Sequence, residues 1–545
     1  MLLILINSAY LASSYFYKNT QEVPNFGGEY IEGMVGQPRF INPILAQTND
    51  IDSDLSSIIY SSLLKLDSEG ELVNDLTESY EISEDNLTYT FHIKKGVKWH
   101  SKKDLGDNKK ELTVDDIIYT IQTIQNPEFN SSLRANWTGI RTEKIDDYTV
   151  QFILKNSYAP FLNNLTFGIL PKHLWSLIKT NNFPLAEYNF RPVGSGPYMF
   201  KQLSKDKEGK IISIELEINN DYYSQKPFIK KLVFQFFQNE EDVILAFNRK
   251  EINGINYLSP DNKEMVINFE NSNIHRLKIP RYFAIFFNQT KNKALSDKEV
   301  RLALSHGIDK NRLIQEVLNS EGSPSDSPIP AQLLGHNPNI KIYDYAQEHA
   351  KNTLDSAEWI DTDGDGIREK EDVKIEFTLV IPNQKELRET GELIQQMWKE
   401  IGVAVEIKEV STETNELSDS YIKPREYEAI LVAQILNYDP DPFAFWHSSQ
   451  KKETGLNLSL YDNPEVDKIL EEARQESNNE TRAEKYKKFQ ELLIKDIPAI
   501  FLYSPNYLYV HGKSIRETDF NNIVIPSDRF NGIENWYMKT KRIWK

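Results

Sequence analysis

The chain has 545 residues, contains no cysteine and carries a formal net charge of −18 at pH 7. A chain of this length predicts roughly three to four domain-sized units. The missing thiols exclude disulfides, thiol nucleophiles, iron–sulfur clusters and thiolate zinc sites, and the acidic balance argues against nucleic acid or an anionic membrane surface as a partner.

The first 17 residues carry no charge and are mostly apolar. A membrane-spanning helix needs about 20 apolar residues, so this stretch is marginal in length. We interpret residues 1–26 as a signal-anchor helix that ends near Lys18, followed by a short polar tether. A buried N-terminal helix is the alternative. The interpretation predicts an extracytoplasmic protein, at a cell surface or in a periplasm, that is tethered to the membrane.

Local patterns in the first half of the chain predict several elements. Alternating apolar residues predict a half-buried strand over residues 88–93. Thr113 and Asp116 predict the capped start of a helix, because the carboxylate three positions after the cap can accept the cap's N–H. The strand patterns at 211–218 and 231–237 predict a hairpin-like pair.

In the second half, strand and helix patterns alternate. Ser296 followed by Glu299 predicts the capped start of a long helix. A helical pattern over 384–401 lies between strand patterns at 373–381 and 403–410. This alternation predicts an α/β domain.

The acidic loop (residues 361–372) has the spacing of a calcium-binding loop. Such loops use oxygen ligands at positions 1, 3, 5, 7, 9 and 12 and a glycine at position 6; an aspartate stands here at position 12, where a longer glutamate is usual. The candidate ligands are Asp361, Asp363, Asp365, Ile367 through its carbonyl, Glu369 and Asp372. A structural calcium site and an ordinary Asp/Gly turn both fit this pattern.

The proline turn (residues 436–446) holds two aspartates, each followed by a proline. Proline fixes its own φ, and the residue before it disfavours the helical region, so the segment should form a stiff, non-helical turn. One interpretation is a surface turn with solvated acids. The other is a cation site, in which Asp439 and Asp441 grip an ammonium between the rings of Tyr438, Phe443 and Trp446.

Several enzyme signatures are absent from the sequence. There is no Walker A motif, no dinucleotide glycine pattern and no HExxH zinc motif. The chain has 81 acidic residues, so pairing of two carboxylates by chance leaves a secreted hydrolase open as an alternative.

Five stretches, taken in order, resemble one known family. They are residues 87–100 (LTYTFHIKKGVKWH), 112–117 (LTVDDI), 192–198 (PVGSGPY), 300–310 (VRLALSHGIDK) and 461–467 (YDNPEVD). From about Gly28 to about Val510 the chain is similar to the extracellular solute-binding proteins of family 5, the peptide, dipeptide and nickel receptors of ATP-binding-cassette (ABC) importers. The lipid-attachment cysteine of many members is missing here.

The resemblance implies an α/β, two-lobed periplasmic-binding-protein-like fold of type II, in the large three-domain variety with a hinge between the lobes. Hinge strands are expected near Tyr282–Asn288 and Ala499–Tyr503. The implied domains are domain I (27–70, 190–282 and 500–545), domain II as an insertion (71–189) and domain III (283–499).

The resemblance also implies a function without chemistry. The expected ligand is an oligopeptide held in a cleft between the lobes by backbone pairing, with an aspartate of the second lobe on its α-ammonium; Asp439 is preferred over Asp441. The expected partner is the membrane permease of an ABC importer, and the protein is expected to be a monomer with no cofactor other than the calcium considered above. A receptor for a nickel chelate or an oligosaccharide is the alternative within the family.

Overall fold

The computed structural model of the protein describes residues 2–67, 70–101, 110–267, 271–340, 343–412, 414–437, 439–453, 455–520 and 523–545. The strands in these ranges are, in chain order, β1 (Thr20–Asn25), β2 (Glu29–Val35), β3 (Leu64–Leu66), β4 (Leu72–Asn74), β5 (Thr77–Ile82), β6 (Thr88–Ile93), β7 (Arg141–Asp146), β8 (Thr149–Ile153), β9 (Tyr198–Lys205), β10 (Ile211–Ile218), β11 (Lys231–Phe237), β12 (Gly254–Leu258), β13 (Ser272–Leu277), β14 (Arg281–Phe287), β15 (Gly322–Pro324), β16 (Glu369–Lys370), β17 (Val373–Lys374), β18 (Glu376–Pro382), β19 (Ala404–Val410), β20 (Ala429–Ile435), β21 (Ala499–Pro505), β22 (Tyr507–Gly512) and β23 (Lys539–Trp544).

The α-helices in the same ranges are α1 (Leu2–Asn19), α2 (Asp50–Ile59), α3 (Val114–Gln125), α4 (Arg134–Trp137), α5 (Lys172–Trp175), α6 (Glu240–Asn248), α7 (Lys293–Ser296), α8 (Lys298–His306), α9 (Lys310–Val317), α10 (Gln347–Ser356), α11 (Lys385–Lys399), α12 (Phe443–Trp446), α13 (Pro464–Gln475) and α14 (Asn479–Asp496).

The first lobe combines a seven-stranded and a four-stranded sheet. The seven strands lie in the order β13-β22-β12-β2-β11-β10-β9, and the four in the order β5-β6-β8-β7. The two sheets share one continuous apolar core, which includes Tyr30 and Phe234 from the larger sheet and Phe91 and Phe152 from the smaller one. Burial of this shared core stabilises the packing of the two sheets against each other.

The second lobe is an α/β unit built on the six-stranded sheet β15-β21-β14-β20-β18-β19. Its strands β18, β19 and β20 are parallel neighbours, as the alternating pattern predicts. Trp398 of α11 belongs to one apolar cluster of this lobe and Phe489 of α14 to another. Side chains of β14 alternate between these clusters, with Ile285 in the first and Phe286 in the second, so both faces of the sheet are covered.

The chain crosses between the lobes at residues 278–280 and at Asn506, directly before β14 and directly after β21. The predicted hinge strands are therefore members of the six-stranded sheet rather than the connections themselves. Residues 500–505, assigned to domain I from the sequence, lie in the sheet of the second lobe because β21 pairs with β14. The remaining domain boundaries stay a prediction.

The N-terminal segment differs from its prediction. Residues 20–25, expected as a polar tether, form β1, which pairs with the final strand β23 from Thr20 opposite Trp544 to Asn25 opposite Lys539. The first 17 residues fall mostly within α1. Among the described helices, none combines the length and the apolar character that a bilayer crossing needs.

Local sequence signals were accurate where a motif is self-contained. Asp116 accepts the Thr113 N–H at 3.0 Å, which confirms the predicted capping box. The hairpin of β10 and β11 is also confirmed. The long helix predicted from Ser296 is wrong: Ser296 ends α7, Asp297 caps α8, and the chain turns again after His306 before Asp309 caps α9.

Candidate ligand-binding site

A cavity of about 300 Å³ is lined almost entirely by residues of the first lobe. Its lining comes mainly from three segments that are far apart in sequence: residues 43–75, 133–168 and 524–534. The first segment contains α2, whose cap Asn49 accepts the N–H groups of Ile51 and Asp52. The volume is at the lower end of the range for small-molecule sites.

The lining of the cavity combines polar groups with aromatic side chains. Hydroxyl and amide groups come from Ser53, Ser57, Asn136, Asn163 and Asn531, and the aromatic members are Tyr60, Trp137, Phe167, Tyr222 and Phe530. Such a surface can exchange hydrogen bonds with peptide-like amides while the rings exclude water.

Asn437 closes the cavity from the second lobe. It is exposed and lies two residues after the end of β20. Among the described lining residues, it is the single contribution from the six-stranded-sheet lobe. The cavity therefore lies between the lobes, and the proline turn reaches it through Asn437 rather than through either aspartate.

One end of the cavity is charged. Lys65 Nζ lies 3.4 Å from Glu534 Oε1, and Asp75 lies beside this pair. Asp75 accepts hydrogen bonds from the Tyr223 hydroxyl at 2.5 Å and from the Ser62 N–H at 2.9 Å. Burial raises the pKa of Asp75, and Lys65 opposes that rise. Sequence reasoning missed these groups, because their separation along the chain gives no local signal.

A buried ion-pair cluster fixes two walls of the cavity against each other. Arg529 is fully buried and donates to Asp54 Oδ1 of α2 at 2.8 Å and to Glu32 of β2. Glu32 also accepts the Tyr30 hydroxyl at 2.6 Å. This cluster ties the segment around residues 526–530 to α2, so the lining residues on both are held in register.

Asp439, the preferred ammonium ligand, is buried inside the second lobe. Its Oδ2 lies 2.8 Å from Arg482 Nη2 of α14, and its Oδ1 accepts the Tyr486 hydroxyl at 3.2 Å. Burial raises the pKa of Asp439, and the Arg482 guanidinium works against that rise. Asp439 does not line the cavity described above, and its charge already has a cationic partner.

Asp441 also has its partner within the second lobe. Arg474 of α13 clamps it through Nε to Oδ1 at 2.9 Å and Nη2 to Oδ2 at 2.8 Å. Asp441 adopts a φ of +29°, a region that a residue with a side chain rarely occupies. Its Oδ2 also accepts the hydroxyl of Tyr158 from the first lobe at 3.2 Å.

The rings expected to wall an ammonium have other surroundings. Trp446 is 1% exposed and packs near Phe286 and Phe501 in the core of the second lobe. Phe443 stacks on His447, with ring centroids 4.0 Å apart, and lies under Arg474. These two side chains pack within the lobe, as buried aromatics mostly do. Tyr438 lies outside the described residues.

The acidic loop brings together part of the predicted calcium set. Asp361, Asp363 and Glu369 each present a carboxylate oxygen within 4.8 Å of the others. Asp365 instead pairs with Lys374, which also contacts Asp363 at 2.9 Å, and its Oδ1 accepts the Ile367 N–H. Asp372 is not a member of the converging group. The oxygen donors suit a hard cation, and Glu369, the candidate at position 9, belongs to the converging group.

A family model and individual relatives both match this chain over most of its length. The model of the family described as bacterial extracellular solute-binding proteins, family 5 Middle, matches residues 71–455. The oligopeptide-binding protein AppA of Bacillus subtilis (strain 168) is 29% identical over 529 residues, covering 96% of this chain and 93% of that protein. The dipeptide-binding protein of Escherichia coli (strain K12) is 27% identical over 488 residues, covering 86% of this chain and 87% of that protein.

Solved structures match over the same extent. AppA from Bacillus subtilis in complex with a nonapeptide has a TM-score of 0.74 at 28% identity, covering 94% of this chain and 99% of that one. NikZ from Campylobacter jejuni in complex with Ni(L-His) has a TM-score of 0.75 at 25% identity, covering 93% and 99%. These matches confirm the predicted two-lobed α/β fold. The chain belongs to the bacterial extracellular solute-binding proteins of family 5 and is extracytoplasmic.

Proposed function

We propose that this protein captures short peptides in the cavity between its lobes and delivers them to the membrane permease of an ABC importer. The observation that carries the proposal is the position of Asn437, which brings the second lobe into a cavity otherwise built by the first. A ligand touching both walls stabilises the closed arrangement of the lobes.

The chemistry of the wall supports a peptide. Extended peptides present N–H and C=O groups that pair with backbone and amide groups, while apolar surroundings exclude water. The hydroxyl, amide and aromatic lining provides both kinds of contact. The charged end at Lys65 and Glu534 offers a partner of either sign to a peptide terminus. Relatives that are named for oligopeptides and dipeptides add support.

The ammonium contact at Asp439 or Asp441 is a separate hypothesis. A ligand ammonium would have to share a carboxylate that Arg482 or Arg474 already holds. Binding of peptides with free and with acetylated N-termini to Asp439→Asn tests it. We expect equal losses for the two peptides, which would mean that Asp439 supports the lobe; a selective loss for the free terminus would assign the ammonium to Asp439.

A nickel chelate is the second candidate ligand. It is favoured by the likeness to NikZ, which was solved with Ni(L-His). The described residues that line the cavity include no histidine, so the metal's ligands would have to come with the chelate itself. An oligosaccharide and the secreted hydrolase remain alternatives from the sequence, and release of product from a labelled peptide or glycan would contradict a pure receptor.

We propose further that the protein acts as a monomer without chemistry of its own and binds no nucleic acid. The uncharged N-terminal stretch supports tethering of the protein to the membrane through the residues that precede β1. The converging carboxylates of Asp361, Asp363 and Glu369 support a structural calcium ion in the acidic loop. Extraction of membranes with alkaline carbonate tests the attachment, because a tethered protein stays with the membrane fraction.

Mass spectrometry of the purified protein under native conditions, followed by calorimetric titration with di- and tripeptides, tests the ligand. Asn437→Ala should weaken binding about 2- to 10-fold, the effect of losing one hydrogen bond. Asn352→Ala, an exposed asparagine on α10 in the same lobe, is the matched control and should bind as the native protein does. Binding of a nickel–histidine chelate but of no peptide would overturn the proposal.

A further inference from the structure

The Asp441 carboxylate joins the two lobes of the protein. Arg474 holds it on the second lobe by bonds at 2.9 and 2.8 Å, and Tyr158 of the first lobe donates its hydroxyl to Oδ2 at 3.2 Å. The Asp441 side chain is 15% exposed and that of Arg474 is 33% exposed. The contact is therefore shielded from water, which strengthens a charge-assisted hydrogen bond.

The ring of Tyr158 also contributes. The Arg474 guanidinium carbon lies 5.2 Å from the Tyr158 ring centroid and 4.1 Å from that of Phe443. Arg474 thus contacts one ring from each lobe, an arrangement favoured by cation–π attraction. Next to Tyr158, the Ser157 hydroxyl donates to the Gln475 carbonyl at 3.3 Å, so the contact extends along the end of α13.

Both halves of this contact lie beside the cavity. Tyr158 directly precedes a 3₁₀ helix (Ala159–Leu165) that supplies Asn163 and Asn164 to the lining. Asp441 stands four residues after Asn437 in the proline turn. Separation of Tyr158 from Asp441 would move Asn437 away from the part of the lining that the first lobe supplies.

The interlobe contacts around Glu321 differ from this one. Glu321 pairs with Arg276 at 2.8 Å and with Lys263 at 2.7 Å, and it accepts the side-chain N–H of Asn506 at 3.2 Å. Asn506 is one of the two places where the chain crosses between the lobes. Contacts beside a hinge persist when lobes rotate, whereas contacts far from it must break.

We propose that Tyr158, Asp441 and Arg474 form an interlobe latch that holds the lobes closed over the cavity and positions Asn437 in its wall. The inference rests on the proposed function only in taking this cavity as the ligand site. The charged Asp–Pro–Asp–Pro sequence then serves closure: Asp439 anchors the proline turn to α14, and Asp441 presents a carboxylate to the opposite lobe.

The chain has no cysteine, so two labels can be placed without background. Leu177→Cys on the first lobe and Lys468→Cys on the second replace side chains that are 78% and 77% exposed. Distances between spin labels at these positions, measured on the full chain without added ligand, report the ratio of closed to open molecules. Tyr158→Phe should lower that ratio about tenfold, the effect expected for one hydrogen bond to a charged group, and Asp441→Asn should lower it further.

Tyr148→Phe is the matched control. Its hydroxyl donates to a carboxylate, Glu111, at 2.9 Å within the first lobe, so the substitution removes the same kind of bond without crossing the lobes. It should leave the distance distribution unchanged. A Tyr158→Phe protein with a native circular dichroism spectrum and a native distance distribution would overturn the latch. This result would decide the question even if the Asp441→Asn protein does not fold.

Peptide titration of the same proteins separates this inference from the proposed function. Faster dissociation of the peptide from Tyr158→Phe, together with native dissociation from Tyr148→Phe, would support both the latch and the proposed function. A shifted distance distribution without peptide binding to any variant keeps the latch and removes the peptide as ligand.

Discussion

The acidic loop and the proline turn look alike in the sequence, since each has aspartates at alternate positions of a turn. Their carboxylates nevertheless differ in exposure and in the residues they pair with. In the acidic loop, Asp363 stays exposed and pairs with Lys374 from the strand that follows. In the proline turn, Asp439 is buried against Arg482 of a later helix. The spacing of acids makes a turn in both places, but the partners of those acids depend on which elements pack over the turn.

The strongest test of this contrast is removal of one charge from each turn. Asp439→Asn leaves Arg482, whose side chain is 7% exposed, without its anionic partner, and it should lower the free energy of unfolding by about 3–5 kcal/mol. Asp363→Asn removes an exposed carboxylate and should leave stability unchanged within error. Urea denaturation of both variants measures the difference, and equal midpoints would contradict the contrast.

The second test concerns Asp52, a buried carboxylate that backbone N–H groups hold in place. Asp52 is 1% exposed and accepts the N–H groups of Arg39 and Phe40 at 2.8 and 2.9 Å. Burial raises its pKa to about 6, above the unfolded value of about 3.9. Between these two pKa values the folded chain binds a proton that the unfolded chain releases. The resulting stabilisation of the folded state is therefore complete below pH ~4 and is lost as the pH rises to ~6. It amounts to about 3 kcal/mol of the free energy of unfolding.

Asp52→Asn should remove this part of the pH dependence, as measured by urea denaturation at intervals from pH 4 to pH 7. The direction is opposite in the acidic loop, where the hydrogen bond from Lys374 lowers the pKa of Asp363. Any stabilisation from Asp363 would be present above its unfolded pKa, and it should be too small to measure because this carboxylate is exposed. A slope between pH 4 and 6 that is the same in the native protein and in Asp52→Asn would contradict the assignment.

A third test asks whether the exposed turn recruits a cation from solution. Calcium should raise the thermal midpoint in a saturable way, because it binds the folded loop and not the unfolded chain. Asp363→Asn should abolish this rise. A midpoint that does not respond to millimolar calcium, or that responds equally to magnesium, would remove the proposed calcium site.

The smallest expected effect concerns Lys374, whose ammonium contacts Asp363 and Asp365. It occupies carboxylates that a metal ion would use, so Lys374→Met should tighten calcium binding several-fold, as followed by calorimetric titration. Without calcium the variant should unfold at the native midpoint, since exposed ion pairs contribute little. A weaker calcium affinity in Lys374→Met would show that the lysine supports the site instead.

Much of the fold could be predicted because its signals are local. The capping box of Thr113 and Asp116 and the hairpin of β10 and β11 depend only on neighbouring residues. The helix predicted from Ser296 failed because Asp297 and Asp309 are competing caps within the same apolar pattern. The resemblance to family 5 supplied the order of the lobes, which no single pattern contains.

The candidate site was harder to predict because it is assembled from distant segments. Glu534 and Lys65 meet across more than four hundred residues, and Arg529 meets Asp54 over a similar span. Trp446 and Phe443 stand beside two aspartates in the sequence, which suggested the walls of a cation site. In the structure Trp446 packs in the core of its lobe, and Phe443 lies under the Arg474 guanidinium. Asn437, which has neither charge nor ring, reaches the cavity instead.

The sequence by itself determined that residues 439–442 are restricted in backbone conformation and carry two negative charges, because each proline restricts its own φ and the conformation of the residue before it. The prediction of a non-helical turn is wrong for the last residues of the segment, since Phe443–Trp446 form the short helix α12. Only the tertiary structure decided what those charges do. Asp439 turned inward to Arg482 and Asp441 outward to Arg474 and Tyr158, because a buried carboxylate requires a partner and the packing of α13, α14 and the opposite lobe determines which one is within reach.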